Sequence, residues 1–223
     1  MFPLLGIFNP LDMLLMIALL MAAGYGSTRG AVPQIISAIS VWLGMIVSLW
    51  LYLTLSRRII KGLFQAWPSN VSDSLAFFVL FIVFFYAFMM IINYLVFPPD
   101  DAEQKKKAEA KRRKKRERDG IQDPPLQRFV IGPLNLLVGF IMGILLAILW
   151  WAITLGMLQF ILQDPNMLPS GALRALSYNL HSSYLIDTIF NPTLYYLTRS
   201  VSLFIPAKAT LLTDLLNIIL YTR

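Results

Sequence analysis

The sequence predicts an all-α integral membrane protein with about four transmembrane helices, followed by shorter amphipathic helices. Three observations predict it. Hydrophobic residues make up 57% of the 223 and charged residues 14%, against about 45–50% and roughly 25% in a soluble globular domain. Four runs are apolar and uncharged over about 17–25 residues or more, the length that crosses a bilayer. The charge is also segregated. Between Asp100 and Arg128 lie 11 of the 19 Lys+Arg and 7 of the 12 Asp+Glu, and the other 194 residues hold only 8 basic and 5 acidic side chains. The formal charge of +7 therefore belongs mainly to one stretch.

The chain divides into a membrane half (1–97), a charged loop or helix (98–128), a fourth span (129–163) and an amphipathic tail (164–223). The first span is expected from about Pro10 to Gly26. Asn9 can cap it, Pro10 suits the first helical turn, and Asp12 can reach back to free backbone N–H groups. Its shortness leaves a re-entrant hairpin with the next helix as an alternative. It also lacks a basic leader and cleavage pattern, so it is expected to be retained as an anchor. The second span, Ala31 to Leu55, is uncharged. The third, Ser74 to Phe97, ends at Pro98-Pro99, which cannot continue a helix. The fourth, from Pro133 to Gln163, is long enough to require tilt, protrusion or a kink, with Gly139, Gly143 and Gly156 as candidate kink sites.

The tail is cut by Asp164-Pro165, Pro169-Ser170-Gly171, Asn191-Pro192 and Pro206. Its pieces are too short to span. Ala172–Phe190 and Leu211–Leu220 each carry an apolar face, expected either to lie at the outer interface, to pack on a partner or to pack back on the spans.

Orientation follows the positive-inside bias. With four spans, the 1–2 and 3–4 loops share a side carrying 12 basic residues, against 7 on the other side. The long loop is expected to be cytoplasmic and both termini external. Within that loop, Lys105, Lys106, Lys107, Lys111, Arg112, Arg113, Lys114, Lys115, Arg116 and Arg118 form a charged helix-prone run. It suits anionic lipid, at about 1 kcal/mol per basic residue near the surface, contact with an acidic protein partner, or plain solvation. No aromatic interrupts it, which argues against base stacking and hence against nucleic acid.

Candidate chemistry is sparse. Cysteine is absent, which excludes disulfides, thiolate metal sites and Cys nucleophiles. The one histidine, His181, cannot by itself supply a His-based metal centre. No G-x-S-x-G, H-E-x-x-H or P-loop pattern occurs. No catalytic residue, metal ligand or cofactor is therefore expected. Asp12 reads as a helix-start residue rather than a proton carrier. Asn93 and Asn135 are taken as the amides at membrane depth, and Ser37, Ser40, Ser48 and Thr154 as hydroxyls for interhelical hydrogen bonds. Ionisable groups inside spans mark ion pathways, and their scarcity argues against a pump. Small residues recur at helical spacing: Ser40, Gly44 and Ser48 in the second span, and Gly132, Gly139 and Gly143 in the fourth. Such stripes let helix backbones approach in lipid.

Asn9-Pro10-Leu11-Asp12, an apolar helix, and then Gly26-Ser27-Thr28-Arg29-Gly30 opening a second helix resemble the start of the colicin V production protein (CvpA) family. Asn135-Leu136-Leu137-Val138-Gly139 with Gly143 is similar to that family's later half, and Pro169–Phe190 to its external tail. The resemblance covers roughly residues 8–97 and 130–190. Met142 stands where the family usually has an Arg, and the charged loop and last 30 residues exceed the usual family length. The resemblance implies a four-span protein of the bacterial plasma membrane, associated with production or export of a peptide toxin and with envelope homeostasis. Its signature here is Asp12, Gly26, Arg29, Gly30 and Asn135. The expected function is a non-enzymatic membrane scaffold or assembly/export factor, working as a homo-oligomer or within a membrane complex. The alternatives are an accessory subunit of a respiratory or photosynthetic complex, and a small oligomeric channel or transporter.

Overall fold

The computed structural model describes residues 9–65, 67–96, 132–163, 171–206 and 209–221. The charged run from Lys105 to Arg118 lies outside them. The described chain is helical, with no strand among the described residues. The helices are α1 (Pro10–Arg29), α2 (Ala31–Leu55), α3 (Ser69–Val96), α4 (Gly132–Ile161), α5 (Gly171–His181), α6 (Asn191–Ser202) and α7 (Thr210–Tyr221). Four of them, α1 to α4, are long and apolar enough to cross a membrane.

The first span is longer than expected. It runs on through Gly26 to Arg29, giving 20 residues, or about 30 Å at 1.5 Å per residue. The chain then turns at Gly30, the only described residue with positive φ (78°). Glycine has no Cβ to resist that conformation. Helix α1 packs mainly along α4 and scarcely touches α2. Helix α2 has the expected bounds, but it continues through a π-helical turn (Ser56–Ile60) and a last short turn (Lys61–Leu63). Helix α3 begins at Ser69, earlier than expected, which brings Asp73 into it. Helix α4 is one continuous 30-residue helix. Its glycines serve close packing and do not break it.

Two helix pairs form the bundle, α2 with α3 and α1 with α4, and α2 also packs against α4. The second-span stripe works at the first of these contacts. Ser40, Gly44 and Ser48 are all buried, and a Cβ placed on Gly44 would lie 3.2 Å from the Phe85 backbone nitrogen. Phe77, Phe81 and Phe85 of α3 fill the core, with the Trp150 ring of α4 5.0 Å from Phe81 and 4.9 Å from Phe85. The span hydroxyls do not bond between helices. Ser37, Ser40, Ser48 and Thr154 each donate to the carbonyl four residues earlier in their own helix. That local bond satisfies the hydroxyl and frees the helix face for close contact.

The tail packs back on the spans. After α5, a π-helical turn (Ile186–Phe190) leads into α6, whose Leu194, Leu197 and Val201 are buried. Helices α6 and α7 form a hairpin against α2 and α4. Its turn reaches the level of Trp42, near the midpoint of α2. Trp42 Nε1 donates to Ser200 Oγ at 3.1 Å and Trp50 Nε1 to the Phe204 carbonyl at 2.7 Å. The Trp42 and Phe204 rings meet edge-on at 5.3 Å. On the returning helix of the hairpin, the Leu211 N–H donates to Tyr52 Oη at 3.1 Å. Irregular backbone at membrane depth persists only where its polar groups are satisfied, and the Trp50 indole does this for the Phe204 carbonyl.

Candidate functional site

Asp12, Gly26, Arg29, Gly30 and Asn135, with Gly139 and Gly143, gather at two places, one at each end of α1. At its N-terminal end, Asn9 and Asp12 form a capping box: the Asp12 N–H donates to Asn9 Oδ1 at 2.9 Å, and the Asn9 N–H to Asp12 Oδ2 at 3.0 Å. The same carboxylate accepts the Leu185 N–H at 3.0 Å, the Tyr184 N–H at 3.2 Å and the Ser183 hydroxyl. Ser183 Oγ in turn accepts the Ile186 N–H at 3.2 Å. A single anion, fully buried, thus caps two helix N-termini, where unpaired N–H groups and the helix dipole both favour negative charge. Asn9 Nδ2 adds a bond to the Asn179 carbonyl at 2.7 Å. The start of α1 and the tail therefore lie at the same end of the bundle.

At the other end, Gly26, Gly30, Asn135, Gly139 and Gly143 converge. A Cβ on Gly26 would lie 2.5 Å from the Gly139 carbonyl oxygen and 2.7 Å from Gly143 Cα, and one on Gly143 would lie 2.6 Å from the Ala22 carbonyl. Backbone lies against backbone here, which only glycine permits. Gly30 sits beside the Asn135 amide, with Nδ2 3.1 Å from where a Cβ would stand. Gly132 opens the same helix, but its surroundings lie outside the described residues.

Gln34 joins the three helices. Its Nε2 donates to the Gly26 carbonyl at 2.6 Å and to the Gly139 carbonyl at 2.9 Å. The side chain projects from α2 and ties α1 to α4. Gln34 Oε1 is buried and has no hydrogen-bond partner. Of the amides expected at depth, Asn93 is half-buried and Asn135 exposed; the amide buried at this joint is Gln34, at 4% exposure. The signal available was an amide one turn beyond the Arg29-Gly30 corner.

Beside this joint a cavity of about 160 Å³ opens between α1, α2 and α4. Its wall is mostly apolar, formed by Ala22, Leu146, Ala147 and Trp150, and Arg29 stands at its edge. The Arg29 guanidinium folds back over the Tyr25 ring, 4.5 Å from its centroid, a cation–π contact.

Beyond these clusters, Ser56 donates to the Asp73 carboxylate where α2 ends and α3 begins. Burial, and then the charge of Asp73, raises the Asp214 carboxyl above the usual range. His181 bonds the Ser177 carbonyl through Nδ1 at 2.7 Å. No family model, curated protein or solved structure matches this chain.

Proposed function

We propose that this chain is a non-enzymatic multi-pass membrane scaffold or assembly/export factor of the colicin V production type. In this reading it sits in a bacterial plasma membrane with the long basic loop cytoplasmic, the termini external and the loop on anionic lipid. The observation that carries the reading is the convergence of Gly26, Gly30, Asn135, Gly139 and Gly143 on one joint. The residues that carry the resemblance make helix contacts there, and Asp12 makes a double helix cap. Their arrangement supports a signature of architecture, in which polar groups hold helices together.

Purification in a mild detergent, followed by mass spectrometry and flux assays in proteoliposomes, tests the proposal. The expected result is a homo-oligomer, or co-purification with envelope or export proteins, without solute flux. A stoichiometric respiratory or photosynthetic complex would replace this reading with that of an accessory subunit. Conductance or flux from the purified protein would replace it with a channel.

A further inference from the structure

The cleft beside Arg29 has features that the packing of the joint does not require. Its wall is apolar, and glycine backbone at Gly26 and Gly143 forms part of it. From Arg29 to Ala22 it follows about two turns of α1, or roughly 10 Å, a depth that suits the upper part of one acyl chain. Two polar groups stand at one level of the cleft. The Arg29 guanidinium is drawn inward to Tyr25, and the Gln34 carboxamide bonds the carbonyl of the next residue, Gly26. Both N–H groups of that amide are committed to backbone carbonyls, which leaves Oε1 as a buried acceptor without a donor. Among the described residues the Arg29 guanidinium meets the Tyr25 ring and no carboxylate, so its positive charge is available to an anion.

We propose that this cleft binds an anionic phospholipid whose headgroup carries hydroxyls, of the phosphatidylglycerol kind. One acyl chain lies along Ala22, Leu146, Ala147 and Trp150. The phosphate meets Arg29, which can take two phosphate oxygens in its planar fork. A headgroup hydroxyl donates to Gln34 Oε1, which relieves the cost of a buried polar atom left unpaired. The site is distinct from the basic loop: its determinants are one guanidinium, one amide and a shaped apolar wall, and it would remain if the loop were neutral.

The test is photocrosslinking on the full-length protein in mixed micelles. The probes are phosphatidylglycerol, phosphatidic acid and phosphatidylcholine, each with a photoreactive group in the upper acyl chain, and the adducts are mapped by mass spectrometry. Phosphatidylglycerol is expected to label the α4 segment from Leu146 to Trp150, ahead of phosphatidic acid, which lacks the alcohol hydroxyls of a glycerol headgroup, and of phosphatidylcholine. Arg29→Gln should lower that labelling about fivefold, the scale of one basic contact, with Arg29→Lys recovering part of it. Ala147→Phe, which fills the cleft without touching any charge, should remove it while leaving labelling elsewhere unchanged. Equal labelling by phosphatidylglycerol and phosphatidylcholine would overturn the proposal, and so would labelling at this segment that neither Arg29→Gln nor Ala147→Phe alters. Equal labelling by phosphatidylglycerol and phosphatidic acid would overturn the part assigned to Gln34.

Discussion

Asp12 shows what a single buried carboxylate can do when every donor around it comes from a helix start. It accepts N–H groups from Asn9, Tyr184 and Leu185 and a hydroxyl from Ser183, so two segments separated by more than 170 positions share one anion. Asp12→Ala should cost about 2–4 kcal/mol, combining a lost cap with lost charge-assisted bonds, and thermal unfolding in detergent would measure it. The glycines work by absence of a side chain. Gly26→Leu or Gly143→Leu should lower the melting temperature and broaden gel filtration, since a side chain there meets backbone that cannot move aside. Gly24→Leu, two residues away on a face with nothing within 4 Å, should leave both unchanged. Half of this was legible in the sequence. The Asn9-Pro10-x-Asp12 start and the small residues at helical spacing are local patterns, and they mark the cap and the joint. The partners of Asp12 in the tail were not legible, because nothing local to residue 12 specifies a hydroxyl at residue 183.

The helices differ in how far their sequences specify a face. Helix α2 buries Ser40, Gly44 and Ser48, with Gly44 against α3, and turns Gln34 toward α1 and α4. Helix α4 is apolar all round, so the identity of its neighbours could not be read from periodicity. The position of Gly139 and Gly143 was the available clue. The tail helices were expected at the interface as one of three placements. Their apolar faces are met by α2 and α4, and the indole N–H groups of Trp42 and Trp50 donate to the Ser200 hydroxyl and the Phe204 carbonyl near the turn. Two tryptophans eight residues apart on one helix were a weak mark of such a docked segment. The returning helix α7 brings Asp214 into the field of Asp73, and its raised carboxyl pKa makes α7 docking pH-dependent. The sign follows from linkage. The folded state holds the Asp214 proton more tightly than the unfolded state, so stability is fullest below the ordinary carboxylate value and is lost as pH rises through the raised one. Thermal unfolding followed from acid to neutral pH should show this decline in the wild type and a flatter profile in Asp214→Asn.

At the scale of the whole molecule, the four long helices alternate in direction. The N-cap of α1 and the tail meet at one end, and the α1–α2 turn at Gly30 meets the start of α4 at the other. The fold class and all four spans were legible because an apolar run of spanning length is a strong, local signal. The chain's lack of cysteine makes its path directly measurable with single-cysteine variants and a membrane-impermeant maleimide applied to intact cells or oriented vesicles. Tyr178 is 73% exposed at the tail end, Leu203 is 86% exposed at the hairpin turn, and Thr28 is exposed at the opposite end. With this topology, Tyr178→Cys is expected to be labelled from outside, Thr28→Cys only after permeabilisation, and Leu203→Cys in neither case because its turn lies at the level of the spans. Labelling of Tyr178→Cys and Thr28→Cys from the same side, or of Leu203→Cys as readily as Tyr178→Cys, would contradict it.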